Sequence, residues 1–191
     1  MINEQELMQS IDNFLSENKE AMLADLKTLI GQPSVRGEAA PGAPYGTDVN
    51  AALEKALAIA RRMGLETENC AGNIGWADLP GKSKKQIATI THLDVVPAGN
   101  GWTSDPFEMI VKDGCVIGRG TLDDKGPAVL TLYIAKFFKE RGEQLPYTLR
   151  LLFGTDEETG MEDVEWYLEH HDAPAFLFTP DGEFPVGYGE K

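Results

Sequence analysis

Leu149-Arg150-Leu151-Leu152-Phe153 is an apolar run, interrupted only by Arg150, that stops at Gly154. A run this short, bounded by a breaker, reads as a strand buried on both faces. It leads straight into Asp156-Glu157-Glu158, three adjacent carboxylates that repel one another. Any fold for this chain must therefore set the end of a buried strand beside something that tolerates concentrated negative charge.

The rest of the pattern alternates helices with strands. Leu7, Ile11, Phe14, Leu15, Met22, Leu26, Leu29 and Ile30 recur at spacings of three and four, which predicts one long helix or two abutting ones over 3–30. The Gly- and Pro-rich GQPSVRGEAAPGAPYGT is a loop, after which Thr47 is placed to cap a second helix that stops at Gly64. Short strands are expected around 65–70 and 73–78, and KQIATITHLDVV, apolar from Ile87 onward, reads as a central strand. Pro127 lies near the first turn of a helix through about Gly142. The 147–153 strand, a helix near 162–171 and the apolar APAFLFTP complete the series. This order predicts an α/β fold, a three-layer α/β/α sandwich with a mostly parallel central sheet.

Ligands of such a sheet bind beyond the carboxyl ends of its strands. Three predicted strands end in metal-capable residues: His92-x-Asp94, Asp156-Glu157-Glu158 and Asp181. A further acidic pair, Asp123-Asp124, precedes the 127–142 helix in GRGTLDDKG. Singly, these are ordinary turn or surface residues; together they form a pattern that a dication would explain, because it would relieve the repulsion and hold the carboxylates deprotonated. Zinc accepts imidazole nitrogen and carboxylate oxygen and, in catalytic sites, keeps a position for water. The i, i+2 spacing puts His92 and Asp94 on one face of an extended segment, so that Asp94 can accept the other ring N–H and fix the tautomer. Of Glu157 and Glu158, one can bind metal while its neighbour serves as general base. His170-His171 has no carboxylate spaced to join it and reads as surface.

Bulk properties narrow the partners. The 191 residues carry a formal net charge of −14, which argues against nucleic acid and anionic membranes, since both require a basic face. Cys70 and Cys115 form no CxxC pattern. The opening MINEQELMQS has neither a basic nor an apolar signal region, and no stretch approaches the ~18 uncharged apolar residues of a membrane span. A cytoplasmic setting is the expectation.

The stretches THLDVVPAGNGWTSDPF (91–107), GRGTLDDKG (118–126), GTDEETG (154–160) and TPDGEFPVGYGEK (179–191), with GNIGW and QPSV upstream, resemble one known family in order along most of the chain. It is the co-catalytic di-zinc family of cytosolic dipeptidases, aminoacylases, glutamate carboxypeptidases and succinyl-diaminopimelate desuccinylases, and the dipeptidase V branch is the most similar. The resemblance implies that His92 and Asp181 bind one zinc and Glu158 the other, with Asp123 bridging both. Glu157 would be the general acid/base and Asp94 the partner of His92. A cis peptide between Asp123 and Asp124 is implied as well.

Members of that family are more than twice this length, with an inserted lid or dimerisation domain and a later histidine for the second zinc. By resemblance, residues 1–191 are expected to be the N-terminal part of the catalytic domain, with one tight zinc site of the two, little activity alone and a truncated surface prone to self-association. The implied reaction is hydrolysis of a dipeptide or short peptide. An N-acyl amino acid amidohydrolase and a non-catalytic metal-binding piece are the alternatives. A carboxylate-pair glycosidase ranks last, because it leaves His92-x-Asp94 without a role.

Overall fold

Glu4–Ile30 form a single unbroken helix, α1, in a computed structural model that describes residues 3–182. Asn3 caps it by accepting the Gln5 N–H at 2.8 Å. Its apolar stripe points Leu29 and Ile30 into the interior. Helix α2 covers Thr47–Arg62, and here the expected cap is corrected: Gly46, not Thr47, holds the N-cap position, with no side-chain cap bond. The reason is steric. Gly46 has φ 110°, and a Cβ there would lie 2.8 Å from the Gly37 nitrogen, so the loop closes on itself only through glycine.

Strands β1 (Glu66–Cys70), β2 (Ile74–Leu79) and β3 (Gln86–His92) follow, then a hairpin of β4 (Ile110–Lys112) and β5 (Cys115–Ile117). Helix α3 (Lys125–Glu140), strand β6 (Thr148–Gly154), helix α4 (Glu162–His170) and strand β7 (Phe176–Phe178) complete the order. The main sheet runs β1-β2-β6-β3-β7 and is mixed: β3 pairs in parallel with β6 and β7, whereas β2 is antiparallel to both β1 and β6. Every residue of β6 is buried, as its apolar run requires.

Helices α2 and α3 cover one face of the sheet, with α1 packed against both of them, and α4 covers the other, giving three layers. The larger core joins Leu53, Leu57, Leu132 and Phe153 across the first face, and a smaller one gathers Ile74, Ala88, Leu152 and Tyr167 on the second. The connection from β3 to β6 passes over the first face through α3, and that from β6 to β7 over the second through α4. Adjacent parallel strands whose connections leave to opposite faces open a crevice at their carboxyl ends. His92 ends β3 and Gly154 ends β6, tied by the Leu93 N–H donating to Gly154 O at 2.9 Å. Residues 183–191, and with them most of the TPDGEFPVGYGEK motif, lie outside the described residues. Among the described residues no helix is long and apolar enough to cross a membrane.

Candidate metal centre

The crevice collects the charged residues that the strand ends carry. His92 is buried, and its Nε2 lies 2.8 Å from Asp123 Oδ1, 3.9 Å from Asp181 Oδ2 and 4.0 Å from Glu157 Oε2. One ligand atom from each of His92, Asp123 and Asp181 lies within 4.8 Å of the other two. Each comes from a different segment: the end of β3, the loop before α3 and the loop after β7. Sequence separation says nothing about this convergence; the parallel register of β3 with β7 brings Asp181 toward His92, and the bond from the His92 N–H to Asp124 holds the Asp123 loop there.

One imidazole nitrogen with the carboxylates of Asp123 and Asp181 forms a donor set that fits a dication, and Glu157 stands beside it. Burial alone would push the His92 imidazole toward neutrality. The carboxylates of Asp94, Asp124 and Asp123 outweigh that and raise it to about 10. Glu158 is shifted up by its own burial and then by the charge of Asp123, so it too faces this concentration of negative charge.

The other ring nitrogen is oriented from behind. His92 Nδ1 lies 3.0 Å from the Asp94 main-chain oxygen and 3.3 Å from Asp94 Oδ1. The main-chain carbonyl is thus the nearer acceptor. A proton on Nδ1 leaves Nε2 as the lone-pair donor facing Asp123 and Asp181. The Asp94 carboxylate makes further bonds, accepting the backbone N–H of Glu157 on Oδ1 at 3.3 Å and that of Glu158 on Oδ2 at 3.0 Å. Glu157–Thr159 is a single 3₁₀ turn, and Asp94 holds it from the core side.

The Asp123–Asp124 peptide is cis. Asp124 is fully buried, accepts the His92 backbone N–H on Oδ2 at 3.0 Å and is raised to about 7, chiefly by burial. The following Lys125 is buried as well and donates from Nζ to Leu29 O at 3.0 Å and Gln32 O at 2.7 Å. It thereby fastens the start of α3 to the end of α1. Gly126 allows the loop before α3 to close against the helix start, since a Cβ there would stand 2.0 Å from Thr121 O.

Several supporting residues carry no signal in the sequence. Asp156 looks like a third member of the acidic run, yet it is fully buried and paired with Arg36, 120 positions earlier. Asp163 is buried and accepts the Thr155 N–H at 2.7 Å and the Val164 N–H at 2.8 Å. Burial raises it to about 6. His170 stacks on Trp166, and His171 stacks on Tyr167.

A profile of peptidase family M20/M25/M40 matches residues 88–188, a little over half of the chain. YtjP of Bacillus subtilis (strain 168) is 38% identical over 178 residues, covering 91% of this chain and 38% of that protein. The Beta-Ala-Xaa dipeptidase of Lactobacillus delbrueckii subsp. lactis is 39% identical over 176 residues, covering 91% of this chain and 37% of that protein. The chain therefore spans well under half the length of these relatives. Among solved structures, human carnosine dipeptidase 1 superposes with a TM-score of 0.76 at 20% identity, over 91% of this chain and 41% of its own. At that identity the match speaks for the fold.

Proposed function

The chain belongs to peptidase family M20/M25/M40, and on that premise we propose that it forms the metal-binding, N-terminal part of the catalytic domain of a dipeptidase. The observation that carries this reading is the approach of His92, Asp123 and Asp181 ligand atoms to within 4.8 Å of one another. The names of the relatives support a short peptide as substrate.

In this reading His92, Asp123 and Asp181 would hold one zinc ion. Asp123 would also serve a second zinc together with Glu158, which neighbours Glu157 on the same turn. Bound there, the ions would polarise the scissile carbonyl and lower the pKa of water. The chain's own residues do the rest. Glu157 Oε2, 4.0 Å from His92 Nε2, takes the proton from water and delivers it to the leaving amine. The Asp94 main chain and carboxylate keep the imidazole turned outward, and the same carboxylate fixes the turn that bears Glu157. With three protein ligands, the His92, Asp123 and Asp181 site would be the tighter of the two.

The test is Glu157→Gln in the full-length polypeptide, with dipeptide hydrolysis and zinc content measured together. A general base contributes ~10²–10⁴-fold. The expected result is loss of turnover by at least that factor with zinc content intact. Activity above about a tenth of the parent protein would overturn the assignment.

A further inference from the structure

The turn Glu157–Thr159 has little to hold its own shape. Its local backbone bonds converge on one acceptor, Asp156 O, reached by the N–H groups of Thr159 at 3.4 Å, Gly160 at 3.1 Å and Met161 at 2.8 Å. A short 3₁₀ turn bearing two neighbouring carboxylates drifts unless something outside fixes it. Asp94 does so on the core side. On the opposite side the anchor is the Asp156 carboxylate.

Asp156 is fully buried, so its charge needs a partner inside the protein. Its Oδ1 accepts from Arg36 Nη1 and from the Thr159 hydroxyl, and its Oδ2 accepts the Glu162 N–H at 3.2 Å. Arg36 Nη1 also donates to Thr159 Oγ1 at 2.9 Å, and Nη2 lies 3.6 Å from Glu162 Oε2. The guanidinium sits 5.0 Å over the ring of Tyr45, which is itself buried. One planar cation thus touches both ends of the turn, Asp156 before it and Thr159 at its close.

The loop carrying Arg36 is in turn fastened to the strand that supplies His92. Ser34 is fully buried, its hydroxyl donates to Leu93 O at 2.6 Å, and its carbonyl accepts the Val95 N–H at 3.0 Å. Arg36 therefore refers the position of the Glu157 turn to the same segment that presents His92 and Asp94.

We propose that Arg36 is a positioning residue for Glu157: through Asp156 and Thr159 it fixes the turn after β6 relative to His92, and it cancels the charge of Asp156 so that Glu157 and Glu158 alone face the centre. This rests on the reading of Glu157 as general base. The pairing explains why three consecutive carboxylates are tolerated, since only two of them act as anions toward the crevice.

Arg36→Met in the full-length polypeptide is expected to lower kcat about 10–100-fold with KM within about twofold, since a misplacement of ~1 Å can remove ~10²-fold. Arg36→Lys should recover part of the loss, because an ammonium can neutralise Asp156 but cannot bridge to Thr159 as well. A readout independent of turnover is amide hydrogen exchange in the 191-residue chain. Exchange should quicken at least tenfold at Glu157, Glu158 and Thr159 while Leu151 and Leu152 of β6 stay protected. If Arg36→Met does not fold, Arg36→Met with Asp156→Asn removes both charges and should show the same local loosening. Faster exchange throughout β6 as well would assign Arg36 to general stability and overturn the proposal. Unchanged exchange and kcat, with Glu157→Gln inactive, would overturn it while sparing the general base. An active Glu157→Gln would instead remove the reading beneath it.

Discussion

Asp94 Oδ2 accepts the backbone N–H of Glu158 at 3.0 Å, joining the segment after β3 to the turn after β6. Its other oxygen accepts the Glu157 N–H, and its main-chain oxygen faces His92 Nδ1. Asp94→Asn keeps a single acceptor oxygen and brings an NH₂ toward a backbone N–H. It should lower zinc affinity ~10–100-fold, as is usual for groups that orient a ligand. Asp123→Asn should lose more, because the carboxylate nearest His92 Nε2 is itself neutralised. Zinc titration of the two variants checks the order; an equal loss would remove Asp123 from the ligand set.

Lys125 fixes the loop that carries Asp123. Replacing it with Met removes the Lys125 donor from Gln32 O, whereas Leu29 O keeps the Gln32 N–H at 3.1 Å, so the cost is roughly 1–3 kcal/mol for the one group left unsatisfied. Urea unfolding should show a lower midpoint with an unchanged slope. A midpoint equal to the parent protein's would mean that water replaces the ammonium at no loss.

Asp163 lines the same crevice without belonging to the proposed ligand set, and it supplies a pH dependence of its own. Its folded-state pKa, raised by burial to about 6, lies above the ordinary carboxylate value of 3.8. Between those values the folded state binds more protons than the unfolded one, so this group's contribution to stability falls as pH rises. It is fully present below pH ~4 and lost above pH ~6. Asp163→Asn should remove that slope. The comparison is the difference in urea midpoint between the two proteins, in chelator, from pH 4 to 7. The parent protein should lose ground to the variant as pH rises, and a difference independent of pH would contradict this.

Strand β7 predicts association. Phe176, Leu177 and Phe178 are all exposed, Phe176 by 58%. Among the described residues β7 pairs only with β3, which leaves an apolar edge. The 191-residue chain should show a concentration-dependent sedimentation coefficient, and Phe176→Lys with Phe178→Lys should reduce it. A monomer at all concentrations would contradict the expectation.

Much of the scaffold was legible because it rests on local pattern. The three- and four-residue spacing of α1 and the apolar run of β6 each point to their element, and Gly64 stops α2 near where it is expected. The antiparallel insertion of β2 beside β6 was not legible, since pairing across 70 or more positions leaves no local trace. The Gly46 cap depends on a close approach to Gly37 that only the folded loop creates. Within the crevice, His92, Asp94, Asp123, Glu157, Glu158 and Asp181 stood out because each follows a strand or precedes a helix. Arg36 and Asp156 did not. A lone arginine in a Gly- and Pro-rich loop gives no hint of its partner, and Asp156 is hidden among neighbours of like charge.

The central claim is that His92, Asp123 and Asp181 together hold a dication. Zinc K-edge absorption of the zinc-loaded, dialysed 191-residue chain tests it most directly, since the edge gives the amount retained and the fine structure gives the donors. The account predicts one zinc per chain with nitrogen and oxygen donors only, at ~2.0–2.2 Å, and scattering from a single imidazole. No retained zinc, sulfur from Cys70 or Cys115, or two imidazoles on one ion would contradict it.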